Sequence, residues 1–295
     1  MRIHTLDLKF LGIPGVIASY LVESAGEFAL IETGPGSTLE TLRAAIRVAG
    51  VDEAAIRKVF VTHIHLDHAG AAGWWAQNGA TIYCHPNAAR HLVDPSRLMD
   101  SARMVYGDQM DTLWGGMLPA PAGRVVALQD NEGVKFGGVE IIAWNTPGHA
   151  RHHHAFVIGD VCFTGDVAGM RLENSRYLSV TSAPPQFEPD AYLQSVDRLI
   201  AANFRLLYLT HFGAVSDVSW HLTTYRQRVI EVYERVAAGF REGISAEENR
   251  RRYAAVEHET AMQAGVSEEL WLKGEEANVT YMCADGVRLY CEKGR

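Results

Sequence analysis

The chain has 295 residues, 47% hydrophobic and 21% charged, with 27 Lys and Arg against 35 Asp and Glu for a formal charge of -8. That balance excludes disordered and collagen-like chains and argues against polyphosphate partners such as nucleic acid. No apolar run approaches the ~18 to 20 residues of a membrane span, the opening MRIHTLDLKF lacks a secretion-signal layout, and the cysteines are sparse, so a cytoplasmic protein with reduced thiols and no membrane partner is expected.

Ile3 to Phe10, Val16 to Val22 and Phe28 to Ile31 read as short antiparallel strands separated by glycine-containing turns. Ser37 and Glu40 form a capping-box pattern ahead of a helix over about 38–49. Lys58 to Thr62 is a buried strand that runs directly into His63-Ile64-His65-Leu66-Asp67-His68. A helix at Gly70 to Gln77 follows, then strands at Thr81 to Cys84, Arg124 to Leu128, Val139 to Trp144, His154 to Ile158 and Val161 to Thr164. A helix over Pro189 to Ala202 precedes a strand at Arg205 to Leu209. Strands in two groups with helices between them predict an α/β fold with two face-to-face sheets and helices outside. Beyond about residue 215, Tyr225, Val229, Val232, Val236 and Phe240 repeat at helical spacing, and Ser245 with Glu248 caps a helix over Ala246 to Ala264. Val279 to Cys283 and Val287 to Cys291 flank Asp285-Gly286, which predicts a terminal hairpin.

Three imidazoles and one carboxylate within six residues, at the mouth of a strand, are the most informative feature. In extended backbone, side chains two apart point the same way, so His63 and His65 can hold one ion together. Asp67 and His68 then face a neighbouring position as the chain turns. These ligand types suit zinc, iron or manganese better than calcium or magnesium.

His-x-His-x-Asp-His after a strand resembles the signature of the metallo-β-lactamase fold superfamily. Thr146-Pro147-Gly148-His149, Phe163-Thr164-Gly165-Asp166 and Leu209-Thr210-His211-Phe212-Gly213 resemble its remaining ligand motifs, in order. The resemblance implies a four-layer αββα sandwich of two mixed β-sheets over residues 1–215, with 216–295 as a C-terminal helical extension. It implies that His63, His65 and His149 hold one metal ion, that Asp67, His68 and His211 hold a second, and that Asp166 bridges both. Two Zn2+ are the implied cofactors, with iron or manganese as alternatives. A water between dications ~3.5–4 Å apart ionises near neutral pH, and Asp67 would orient the bridging hydroxide and accept its proton.

The chain departs from the family pattern in several places. Ile31-Glu32-Thr33-Gly34 carries a glutamate where the family usually has an aspartate; Glu32 either reaches a ligand such as His68 or is an ordinary loop carboxylate. His153 matches the family's second, non-ligating histidine. No role falls to His152 or His154, and His4, His85, His91, His221 and His258 read as surface or core-edge residues. Pro95 to Pro121 holds four of the chain's 8 methionines, with Ala102, Tyr106, Met110, Leu113 and Met117 at helical spacing. That segment is either a flap over an apolar substrate or plain core. The tail, with Trp271 and Tyr281, either closes the same cleft or makes a homodimer contact. The expected activity is hydrolysis of an ester-like carbonyl in a small molecule, by similarity to hydroxyacylglutathione hydrolases and related thioesterases, although their glutathione-binding basic residues have no match. Lactonases of the fold often place a tyrosine three positions after the bridging aspartate, where this chain has Gly169. A mononuclear iron dioxygenase of the persulfide dioxygenase type is the second reading.

Overall fold

The computed structural model describes residues 1–172, 175–277 and 279–294. Six strands make the first sheet in simple sequential order: β1 (Arg2–Asp7), β2 (Ala18–Ser24), β3 (Glu27–Ile31), β4 (Ile56–Phe60), β5 (Thr81–Cys84) and β6 (Val125–Ala127). The first three pair antiparallel, and β3 to β6 run parallel. The second sheet takes β7 (Gly133–Phe136), β8 (Val139–Asn145), β9 (His154–Ile158), β10 (Val161–Gly165), β13 (Leu206–Leu209) and β14 (Gly213–Val215). Within it β10 and β13 are parallel. A two-stranded ribbon joins β11 (Met170–Arg171) to β12 (Leu178–Ser179).

Strand alternation explains the layers. In β3, Ala29 and Ile31 face the second sheet, with Tyr20, Phe60, Phe156, Phe163 and Tyr208 around them. Leu30, one position away, faces outward with Leu42, Ile46 and Trp75. Period-two side chains on strands covered on both faces give this two-sided burial. Helices α1 (Leu39–Val48), α2 (Leu66–Ala69), α3 (Ala72–Gln77), α4 (Pro86–Val93), α5 (Ser96–Tyr106) and α6 (Met110–Leu113) belong to the first half. On the second sheet, α7 (Pro189–Ala202) and α8 (Val218–Arg241) share one buried cluster with Leu207 and Leu209. The result is the αββα sandwich expected. Helix α8 completes the outer layer of the second sheet, α9 (Ala246–Gln263) and α11 (Thr280–Glu292) continue it, and α10 (Glu268–Ala277) packs in a separate cluster with Met170, Leu172 and Tyr177. Among the described residues no helix is long and apolar enough to cross a membrane.

Three local expectations need correction. The terminal hairpin is instead helix α11: Thr280, Cys283, Ala284 and Val287 are among its buried residues, at helical spacing. Asp285-Gly286 is no turn; Gly286 lets the helix approach the chain at Ser182, where a Cβ would collide with the Ser182 carbonyl oxygen. Ser37 does not cap α1, because its hydroxyl donates to the Leu113 carbonyl at 2.7 Å. The methionine-bearing segment is two helices, α5 and α6, broken at Gly107 with φ 51°. Ser245 does cap α9, accepting from the Glu248 amide at 3.1 Å.

Gly286→Ala is expected to cost about 1–3 kcal/mol through overpacking against Ser182, read as a lower urea midpoint with the far-ultraviolet helical signal retained. An unchanged midpoint would argue against the packed helix.

Candidate metal centre

All seven expected ligands meet at one edge of the sandwich. Glu32 directly follows β3, and Thr62 to His68 follow β4, at the carboxyl ends of two parallel strands. Asp166 directly follows β10 and His211 lies just beyond β13, the parallel pair of the other sheet. His149 to His153 lead into β9. Carboxyl ends of parallel strands open a crevice between the diverging connections, and two such ends here face each other.

In the first group, His65 Nδ1 lies 2.9 Å from both His63 Nε2 and His149 Nε2. His149 Nδ1–H donates to the Thr181 carbonyl at 2.8 Å. His63 Nδ1–H donates to Thr62 Oγ1 at 3.0 Å, whose own proton goes to Glu32 Oε1 at 2.5 Å. With both Nδ1 atoms protonated, both Nε2 atoms present lone pairs. His65 Nδ1 can carry a proton toward only one of them, so at least one lone-pair contact requires a cation. Zinc–nitrogen bonds of about 2.0–2.1 Å at tetrahedral angles put donors about 3.3 Å apart, close to the spacing seen.

The second group repeats the logic. His68 Nδ1–H donates to Glu32 Oε1 at 3.1 Å, and His211 Nδ1–H to the Val16 carbonyl at 3.1 Å. Their Nε2 atoms each stand 3.3 Å from Asp67 Oδ2. Asp166 lies between the groups: Oδ1 is 3.1 Å from His68 Nε2 and 3.5 Å from His211 Nε2, while Oδ2 is 3.3 Å from His149 Nε2. Buried His68 Nε2 and Asp166 Oδ1 have no hydrogen-bond partner among the described residues. Orphaned, converging acceptors are what a cation satisfies, so these residues fit metal ions.

Burial, then the neighbouring imidazoles, hold His65 down at about 3 and His63 well below its usual value, so both are neutral donors at neutral pH. Burial also opposes charge on His68 and His211, but nearby carboxylates outweigh it and raise both. Burial would raise Asp67, and His68 with His211 instead hold it well below the usual carboxylate range.

Glu32, buried at 1% exposure with φ 66°, reaches His68, the first of its two sequence readings. His153 accepts the Asp166 amide at Nε2, 3.1 Å, and meets Thr146 Oγ1 through Nδ1 at 2.8 Å, which makes it a support rather than a ligand. His221 is fully buried, with Nε2 2.9 Å from the Ala168 carbonyl oxygen, not at a core edge. His154 and His152 are also buried, near His85 and His65 respectively. Sequence reasoning missed the Asp166 carbonyl's partners: Thr181 at 2.9 Å and Tyr192 at 2.6 Å, the latter joined to Tyr225 at 2.7 Å. Tyr225 comes from α8, and its ring fills the space beside Gly169, where a Cβ would collide with Tyr225 Cε2. Thr181 lies beside no ligand motif and the tyrosines come from helices distant in the chain, so none of the three left a local signal in the sequence.

A model of the metallo-beta-lactamase superfamily matches residues 12–211. The chain belongs to this superfamily. The metallo-beta-lactamase fold-containing protein ST1585 of Sulfurisphaera tokodaii is 28% identical over 162 residues, 54% of this chain, and the match spans only 61% of that relative's length. The crystal structure of ST1585 superposes with TM-score 0.63 at 24% identity, covering 78% of this chain and 85% of that one. TTHA1429, a metallo-beta-lactamase family protein of Thermus thermophilus, gives TM-score 0.67 at 21% identity, covering 99% and 94%. The metallo-beta-lactamase SMB-1 bound to 2-mercaptoethanesulfonate gives 0.55 at 17% identity, covering 78% and 92%. These likenesses establish the metallo-beta-lactamase fold, and the histidine and aspartate cluster able to hold a metal is read from this chain's own residues.

The raised His68 and His211 must lose protons before their Nε2 atoms can bind an ion. Zinc binding to metal-free protein at neutral pH is therefore expected to release protons, seen as a binding enthalpy that changes with the buffer's ionisation enthalpy, and affinity is expected to fall as pH falls. A buffer-independent enthalpy would contradict this.

Proposed function

We propose that the chain is a dinuclear metal-dependent hydrolase of a small-molecule ester-like carbonyl, with thioesters the leading class. The observation that carries the dinuclear reading is Asp166, whose two oxygens face different imidazole groups, Oδ1 toward His68 and His211 and Oδ2 toward His149. Two dications would supply, when bound, a water ionised near neutral pH and polarisation of the carbonyl under attack. His63, His65 and His149 would hold one ion, Asp67, His68 and His211 the other, with Asp166 shared. Asp67, partly exposed beside His68 and His211, would orient the attacking water and take its proton.

An aromatic wall that begins at Tyr106, close enough to Asp67 for that carboxylate to help burial raise its hydroxyl, supports a carbonyl substrate with a hydrophobic portion. Tyr106 of α5 lies edge-on to Trp114, with ring centroids 5.2 Å apart, and Trp114 stacks on Phe10. The Tyr106 hydroxyl meets Met282 of α11, whose neighbour Tyr281 is half exposed. The methionine-bearing segment and the helical tail thus touch. Trp271, by contrast, packs away from this wall with Tyr177 and Val266. The lactonase version gains no support, since the Tyr225 ring occupies the place of any side chain at 169.

Metal analysis combined with a panel of thioesters, esters, lactones and phosphodiesters tests the proposal. Two ions per chain and thioester turnover are expected, with Asp67→Ala lowering kcat by about 100-fold or more. One iron per chain with oxygen uptake and no hydrolysis would replace the proposal with the dioxygenase reading. Tyr106→Ala should raise KM for long acyl substrates several-fold at little change in thermal midpoint; unchanged kinetics would assign the α5–α6 segment to packing alone.

A further inference from the structure

The Nδ1 partners of the four best-defined imidazoles divide two and two between main chain and side chain. His149 and His211 donate to main-chain carbonyls, those of Thr181 and Val16. A carbonyl of the main chain is fixed by the strands and loops around it. His68 and His63, one from each proposed metal group, depend instead on side chains, and both routes end at the same atom. His68 donates directly to Glu32 Oε1 at 3.1 Å; His63 donates to Thr62 Oγ1, which donates to Glu32 Oε1 at 2.5 Å. Thr210, the residue before His211, also directs its hydroxyl to Glu32 Oε1, at 3.4 Å, and the Thr62 amide points to Oε2 at 3.4 Å.

We propose that Glu32 is the positioning residue that couples the two halves of the metal centre, so that its loss weakens ion binding at both. The inference rests on the two-ion reading above. The chemistry is a matter of proton supply and demand. A carboxylate oxygen only accepts, so it fixes the direction of every hydrogen bond that reaches it. The Thr62 hydroxyl must donate to Glu32 and therefore accepts from His63 Nδ1–H. His68 must likewise place its proton on Nδ1. Both Nε2 lone pairs are then committed to the cluster, where His63 meets His65 and His68 meets Asp67 and Asp166. An amide at position 32 could still fill the space, but its orientation is free to reverse and present NH2 to either partner, which removes the direction from both chains at once.

Reach matters as much as charge. Glu32 adopts φ 66°, a left-handed backbone that glutamate rarely takes. This turn directs the side chain from the end of β3 across β4 toward Thr210 beyond β13. Aspartate is shorter by one carbon–carbon bond, about 1.5 Å, enough to break contacts that are 2.5 to 3.4 Å long. The carboxylate alone, drawn back toward β3, would not serve His68 and Thr62 together.

The test is stepwise zinc competition with a chromophoric chelator on the full chain, comparing wild type with Glu32→Gln, Glu32→Asp and Thr62→Val. Thermal unfolding of the metal-free forms serves as the folding control. Glu32→Gln and Glu32→Asp are each expected to weaken both binding steps by about 10- to 100-fold, the usual effect of removing a partner behind a ligating histidine. Thr62→Val, which cuts the His63 branch but leaves Glu32 on His68, should weaken one step much more than the other. In zinc-loaded protein the two imidazole Nδ1–H proton resonances of His63 and His68 should shift together in Glu32→Gln and separately in Thr62→Val. If the Glu32 variants change only one step, or neither, while wild type binds two ions, the coupling is wrong and the hydrolase reading stands. If a Glu32 variant does not fold, Thr62→Val decides: a much larger loss at one binding step than at the other supports the two branches meeting at Glu32, and equal losses or none overturn it. Wild type that binds fewer than two ions under saturating zinc overturns both.

Discussion

A set of imidazole lone pairs held against one another in a buried pocket governs this structure. Each Nδ1 proton that can be traced is committed to a carbonyl, a hydroxyl or a carboxylate behind the ring, so the Nε2 faces have nowhere to turn except inward. Such a cluster is electrostatically unfavourable alone and becomes favourable around positive charge. The carboxylates of Asp67 and Asp166 supply part of the complementary field by raising His68 and His211.

The sandwich serves that arrangement. Two parallel pairs, β3 with β4 and β10 with β13, end at the same rim, and each end releases a short segment whose first residues carry the chemistry. Close contact among these segments leaves little room: a Cβ at Gly165 would lie 2.6 Å from Thr62 Oγ1 and 2.7 Å from His153 Nε2. The glycine ahead of Asp166 is therefore a condition for bringing the two sheets' ends together.

Much of this was legible from sequence because the ligands cluster locally. His63 to His68 announce themselves by density. The sandwich, and His149, Asp166 and His211 as partners of that run, were implied by the resemblance to the superfamily's motifs. What was not legible depends on partners distant in the chain. Asp285-Gly286 carries a hairpin's local chemistry, yet burial of Cys283, Ala284 and Val287 on one face and the close pass by Ser182 make it helix. Ser37 has a cap's local chemistry, yet Leu113 offers its hydroxyl a better-placed acceptor. Glu32 was ambiguous because one methylene decides its reach and only the backbone turn at that residue reveals where the carboxylate ends.

The ring of Tyr225 against Gly169, with its hydroxyl bonded to Tyr192, ties α8 to the carbonyl of Asp166. Sandwich and tail are thus not interchangeable modules. A lineage that exchanged its carboxy-terminal helices for others would uncover the backbone at 169 and leave the hydroxyl chain behind the Asp166 carbonyl one member short, so the two portions are bound to change in step during divergence.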